Sequence, residues 1–246
     1  MEPKQGFFEG PPQTMFTFGV ACGLAISAIA FVFLGGINAA PGSASASEKV
    51  VANANILQPT QPVANNVAPP ASDVPKATED DWVRGDLGSA KVVMIEYSDF
   101  QCPYCSSHHP TMQQLVDEFG GSVAWVYRHF PLTSIHPQAT PAAVAAECAG
   151  EQQGNDGFWS MADALFANQT TLGQATFERL AGEQGLDAAS FKSCLSSGKY
   201  NSKITSQQSG GASAGVTGTP GTFINGQLIP GAVPIDQLRS IIQGEI

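Results

Sequence analysis

Val92-Val93-Met94-Ile95-Glu96-Tyr97-Ser98-Asp99-Phe100-Gln101-Cys102-Pro103-Tyr104-Cys105 is the stretch whose reading decides the fold. Residues 92–97 are apolar at both parities, the pattern of a strand buried on both faces. Residues 98–101 make a turn, and the Cys-x-x-Cys that follows sets two thiols one helical turn apart. A strand feeding a helix that opens with this motif is the layout of a dithiol/disulfide redox site. At the N-terminus of a helix, unpaired N–H groups and the helix dipole favour a thiolate over a thiol. Each unit of pKa depression is worth about 1.4 kcal/mol to the charged form. Cys105 then faces the first sulfur and can displace whatever is disulfide-bonded to it.

Working outward, Met112, Leu115, Val116 and Phe119 form the apolar stripe of a helix ended by Gly120-Gly121. Residues 123–128 read as a second buried strand, so the start is β-α-β with a parallel pair. The pattern then turns helical. An Ala-rich run over 137–151 is followed by Phe158, Met161, Ala162, Leu165 and Phe166 on one face, then by Phe177, Leu180 and Ala181, and by Phe191, Cys194 and Leu195. This predicts a helical subdomain over about 137–213. Strand character resumes at 221–224, an Asn225-Gly226 turn leads to 227–229, and a last helix covers 234–243. The expectation is an α/β domain over 78–246.

The chain has 246 residues and a formal net charge of −10. No long basic tract relieves that charge, which excludes a nucleic-acid surface. Residues 16–34 carry no charge, and the uncharged stretch runs from 10 to 47. About 19 helical residues span roughly 28 Å, close to a bilayer's hydrocarbon core. The reading is a short cytoplasmic segment (1–14), a transmembrane anchor (15–37) that takes Cys22 into the membrane, and a flexible Ala/Pro/Ser/Asn-rich tether (38–77). The alternative for the apolar segment is a signal peptide cut near Ala44-Ser45-Ala46. Cysteine use places the folded domain outside the cytoplasm, where disulfides persist.

Residues 97–105, Arg128-His129-Phe130-Pro131-Leu132, and Gly218-Thr219-Pro220-Gly221-Thr222-Phe223-Ile224-Asn225-Gly226 together resemble DsbA-like thiol–disulfide oxidoreductases. The resemblance covers about 80–246. It implies a thioredoxin fold with a helical insertion, an extracytoplasmic location, and disulfide formation in secreted proteins. Cys102 takes the place of the family's exposed nucleophile and Cys105 that of its buried partner, with Pro103 and Tyr104 between them. Tyr104 stands where the best-known oxidases of the family carry histidine. Pro220 resembles the cis-proline beside the active disulfide, and Thr219 would offer backbone groups to a peptide lying across the sulfurs. Glu96 matches a buried acidic position. Burial raises a carboxyl pKa and suits it to carry a proton for Cys105.

Alternatives stand beside these readings. A bare Cys-x-x-Cys also serves structural disulfides and zinc, and Cys105, His108 and His109 at i, i+3, i+4 could share a helical face. The absent second Cys-x-x-Cys and the Thr219-Pro220 motif favour redox chemistry, with no metal and no cofactor. Asp99 reads as a helix cap or a solvated carboxylate, and Arg128 and His129 as structural or surface residues. Cys148 and Cys194, both on apolar helical faces, are expected to form a second disulfide, the alternative being two buried free thiols.

The expected function is that of a monomeric, membrane-anchored oxidase. It would act on reduced or unfolded secreted proteins and be recharged by a DsbB-like or VKOR-like membrane thiol oxidase. An isomerase or reductase using the same dithiol, or a non-catalytic tethered peptide-binding module, are the rivals.

Overall fold

The computed structural model describes residues 76–246. The readings for 1–14, for the anchor at 15–37 and for nearly all of the tether lie outside the described residues. Among the described residues, no helix is long and apolar enough to cross a membrane.

The elements run β1 (Trp82–Arg84), β2 (Val92–Ser98), α1 (Pro103–Phe119), β3 (Val123–His129), α2 (Ala139–Ala167), α3 (Gln174–Glu183), α4 (Ala188–Ser197), α5 (Asn201–Ser213), β4 (Gly221–Ile224), β5 (Gln227–Pro230) and α6 (Ile235–Glu245). Among the described residues, five strands form one sheet in the order β1-β3-β2-β4-β5. The β2/β3 pair is parallel and every other pairing is antiparallel. A helix between parallel neighbours is the crossover that the 92–128 pattern predicts.

Both faces of β2 are covered, as its two-parity apolar pattern requires. Val92 and Met94 join Trp125, Tyr127 and the inner sides of α1, α2 and α6 in the main core. On the opposite face, Ile95 and Tyr97 pack with Val126, Phe130 and Phe223. Strand periodicity therefore puts Glu96 and Ser98 on the α1 side, between Met94 and the active-site turn. The second face admits α5 at close range. A Cβ on Gly211 would lie 2.6 Å from the Tyr97 ring, so only glycine allows that approach.

Helices α2 to α5 fill the predicted insertion. The long α2 bends at Gly154, whose φ of 66° and ψ of −150° interrupt the helical path. β1 was not expected from the sequence. Its three residues carry no periodic signal, and they become a strand only by pairing Trp82, Val83 and Arg84 with Tyr127, Val126 and Trp125. Trp82 also stacks on Phe158 of α2 at 4.8 Å between ring centroids, which ties the insertion to the sheet edge.

Candidate active site

Cys102 ends the turn between β2 and α1. Its N–H donates to the Asp99 carbonyl at 3.0 Å, it stands at the N-cap of α1, and Pro103 fills the first helical position. A missing N–H is harmless there, because the first-turn donors have no intrahelical acceptor. Both Cys102 and Cys105 are free thiols. The Cys102 side chain is less exposed than a nucleophile on an open surface, at 3%, while Cys105 lies beneath it at 0%. The cover over Cys102 is the loop at Thr219-Pro220, whose peptide bond is cis. As a thiol, Cys102 points its S–H at the Thr219 carbonyl oxygen, 3.4 Å away.

The two sulfurs differ in acidity for local reasons. The Cys102 pKa falls to about 5, chiefly because the Cys105 thiol donates to its thiolate. Burial opposes the shift, and the Thr219 hydroxyl and the N–H groups of Cys105 and Tyr104 add to it. Cys105 moves the other way. Burial holds its thiol well above the usual range, and the neighbouring Cys102 and the Glu96 charge push it further. One sulfur is thus held ready as a thiolate and a good leaving group, and the other as a thiol that needs help to lose its proton.

That help has a candidate in the polar face under α1. Glu96 is fully buried, with Tyr127 of β3 and Thr222 of β4 as its register partners. Burial raises its carboxyl to about 7, with Ser98 and Trp125 pulling back and the Cys102 charge adding to the rise. The Ser98 hydroxyl is near enough to Glu96, Cys105 and Tyr127 to affect all three. None of the side-chain oxygens of Glu96, Ser98 and Tyr127 closes a hydrogen bond of ordinary geometry. A carboxyl titrating near neutrality beside a raised thiol is an arrangement that can move a proton at physiological pH.

A family model described as thioredoxin matches residues 77–244. The chain belongs to that family. Among solved structures, this thioredoxin-family chain is similar to DsbA2 of Pseudomonas aeruginosa, at 29% identity and a TM-score of 0.58 over 70% of this chain and 97% of that one. It is also similar to a thioredoxin-like oxidoreductase from Silicibacter pomeroyi, at 27% identity and a TM-score of 0.60 over 68% and 92% of the two chains. These neighbours are DsbA-like thiol–disulfide oxidoreductases. Among curated proteins, 169 residues are 37% identical to a protein named Na(+)/H(+) antiporter NhaA 1 of Salinispora arenicola, covering 69% of this chain and 25% of that protein. The chain thus spans about a quarter of the length of the curated relatives it matches.

Elsewhere in this thioredoxin-family domain, Cys148 of α2 and Cys194 of α4 form a disulfide, with Cα atoms 5.9 Å apart. His108 and His109 face different partners. His108 Nε2 lies 3.3 Å from Thr222 Oγ1, and burial lowers its pKa to about 4. His109 Nε2 is 2.7 Å from Asp163 Oδ1 of the insertion. Asp99 neither faces water nor caps α1. Its buried carboxylate accepts from the N–H groups of Gln101 at 2.7 Å and Leu132 at 2.9 Å, and pairs with His136 Nδ1 at 2.7 Å. Arg128 and His129 are buried, bridged to Asp81 and Glu147. The surface alternative for these two is thereby corrected, because each polar side chain finds a carboxylate partner inside.

Sequence reasoning missed Ser98, Tyr127 and Gln169. Ser98 carried a signal, since it stands two residues after Glu96 and shares its face. Tyr127 has none until the β2/β3 register is known. Gln169 lies 67 residues from Cys102 and donates to its carbonyl.

Proposed function

We propose that this chain is a membrane-anchored, extracytoplasmic thiol–disulfide oxidoreductase that introduces disulfides into secreted or envelope proteins through Cys102 and Cys105. The observation that carries the reading is the opposed acidity of the two sulfurs, with Cys102 lowered to about 5 and Cys105 raised. A substrate thiolate attacks Cys102 of the oxidised pair, forming a mixed disulfide. Cys105 departs as a thiolate, which the buried environment disfavours, so Glu96 in its acid form supplies the proton. A second substrate thiolate attacks the substrate sulfur of the mixed disulfide, and Cys102 leaves as its stabilised thiolate. The substrate has lost two electrons and the protein has gained them. A membrane thiol oxidase of the DsbB-like or VKOR-like class would remove them again.

The membrane and location parts of this reading rest on the uncharged run at 16–34. The Cys148–Cys194 disulfide also accords with an oxidising compartment. A stabilised Cys102 thiolate favours the reduced form and so favours giving disulfides over taking them. The test is to mix the oxidised full chain with a reduced, unfolded two-cysteine protein and count its thiols. Stoichiometric loss of substrate thiols is expected, together with a reduction potential against glutathione well above thioredoxin's. A potential as low as thioredoxin's would assign the same site to a reductase, and no exchange at all would leave a binding module.

A further inference from the structure

The turn that presents Cys102 is held from outside the thioredoxin core. The Gln169 amide nitrogen donates to the Phe100 carbonyl and to the Cys102 carbonyl, each at 2.9 Å. An amide NH2 has two hydrogens, and both are used here, so the group cannot rotate without losing a bond. The Cys102 carbonyl also accepts from the Ser106 N–H at 3.1 Å, the bond that starts α1. Gln169 therefore grips the peptide unit from which the helix begins.

Its own support is firm. Gln169 opens a short 3-10 turn, Gln169–Thr171, directly after α2. The preceding Asn168 binds the Ala164 carbonyl at 2.9 Å and accepts from Arg179 Nη2 of α3 at 2.9 Å. On the other side of the active-site turn, the Gln138 N–H donates to Gln101 Oε1 at 2.6 Å, and Leu132 and His136 hold Asp99. The segment leading into the insertion and the segment leaving its first helix thus close around residues 99–102.

We propose that Gln169 is a positioning residue for the nucleophile, holding the 99–102 turn so that the first N–H groups of α1 stay aimed at the Cys102 sulfur. The inference rests on the oxidoreductase reading above and deepens it. Those N–H groups, of Tyr104 and Cys105, are among the donors that stabilise the Cys102 thiolate. A hydrogen bond weakens steeply as its angle closes, so a small tilt of the turn costs the thiolate more than it costs the fold. The titratable groups that bear on Cys102 are Cys105 on α1 and Glu96 on β2, with Asp99 and its partner His136 on the loop side of the turn. Gln169 hydrogen-bonds the Phe100 and Cys102 carbonyls and none of these groups, so Gln169→Leu, which adds no charge, reads out through backbone geometry.

The experiment compares the full chain with Gln169→Leu and with the isosteric Gln169→Glu. Glutamate keeps the shape, lacks the donors, and turns a carboxylate toward two carbonyls. Thiolate absorbance at 240 nm against pH, and the redox equilibrium with glutathione, are measured for each. Gln169→Leu is expected to raise the Cys102 midpoint by about one unit, and to shift the equilibrium about tenfold toward the protein disulfide. Gln169→Glu should shift both further. A midpoint and an equilibrium equal to wild type in Gln169→Leu overturn the proposal, whatever happens to thermal stability and whatever Gln169→Glu does, because the glutamate also acts through its charge. If the wild-type Cys102 itself titrates in the ordinary thiol range, the oxidoreductase mechanism fails first, and that failure is distinguishable because it needs no variant.

Discussion

The four cysteines of the described residues form two pairs on different elements that differ in almost everything but their chemistry. Cys102 and Cys105 sit three residues apart at the mouth of one helix, where backbone donors and a neighbouring thiol separate their acidities. Cys148 and Cys194 are 46 residues apart on α2 and α4 and are already bonded. The first pair closes almost no chain, so its disulfide adds little to stability and its reactivity is set by which sulfur bears charge better. The second pair closes a long loop between two buried helix positions, and the bond acts as a staple. Reactivity belongs to an environment that distinguishes two sulfurs, and stability to one that merely joins them.

The comparison breaks most sharply at Cys102. Cys102→Ser is expected to reduce oxidation of a reduced substrate protein to the uncatalysed background while leaving the unfolding temperature near wild type. Substantial remaining turnover would sink the mechanism. The converse variant, Cys148→Ala with Cys194→Ala, should lose up to about 4 kcal/mol in the chain-entropy account, a fall of roughly 10 °C in calorimetry. Its turnover should stay within about twofold of wild type at a temperature where it is folded. Loss of activity in proportion to stability would show that the two pairs are not separate.

Glu96→Gln sharpens the first half of the contrast. Because burial raises the Glu96 pKa to about 7, its acid form is the one the fold prefers. The stability linked to it is full below the unfolded carboxyl value of about 4.5 and is lost as pH rises through 7. The glutamine variant should therefore be more stable than wild type at pH 8, by up to about 3 kcal/mol, with little difference at pH 4. Denaturant titrations at the two pH values measure this, and release of Cys105 should slow in the same variant. The smallest effect is expected at Tyr104, which is 67% exposed. Tyr104→His places an imidazole next to the Cys102 thiolate and, at pH 6, should shift the glutathione equilibrium a few-fold toward the reduced protein. A variant-to-wild-type ratio of that equilibrium that is the same at pH 6 and pH 8 would show the side chain turned away from the sulfur.

Much of this molecule was legible without coordinates. The two-parity run at 92–97, the Cys-x-x-Cys after it and the amphipathic stripe that follows are local patterns. Local patterns report local structure because helix and strand periods are set by the backbone. The Asn225-Gly226 turn is readable for the same reason, since its left-handed φ values of 46° and 89° suit those two residues. The Cys148–Cys194 disulfide was an expectation from two apolar helical faces and an oxidising compartment, with two free thiols left open until the structure paired them. β1 was not legible, because three residues without alternation become a strand only when a partner edge is present. The Thr219-Pro220 loop beside Cys102, 117 residues away, was expected only from the family resemblance, and the bond from the Cys102 thiol to the Thr219 carbonyl needed the structure.

By itself, then, the sequence determined the order of elements, the dithiol at a helix mouth and the presence of an acidic residue on the strand beneath it. Only the tertiary structure decided which neighbours those groups meet. The β2/β3/β4 register sets Tyr127 and Thr222 beside Glu96, the Thr219-Pro220 loop covers Cys102, and Gln169 reaches back from the insertion to the nucleophile's own peptide unit. The reason is physical. A thiol's acidity depends on donors and charges within a few ångströms, and in a folded chain those come from residues whose distance along the sequence carries no information about their distance in space.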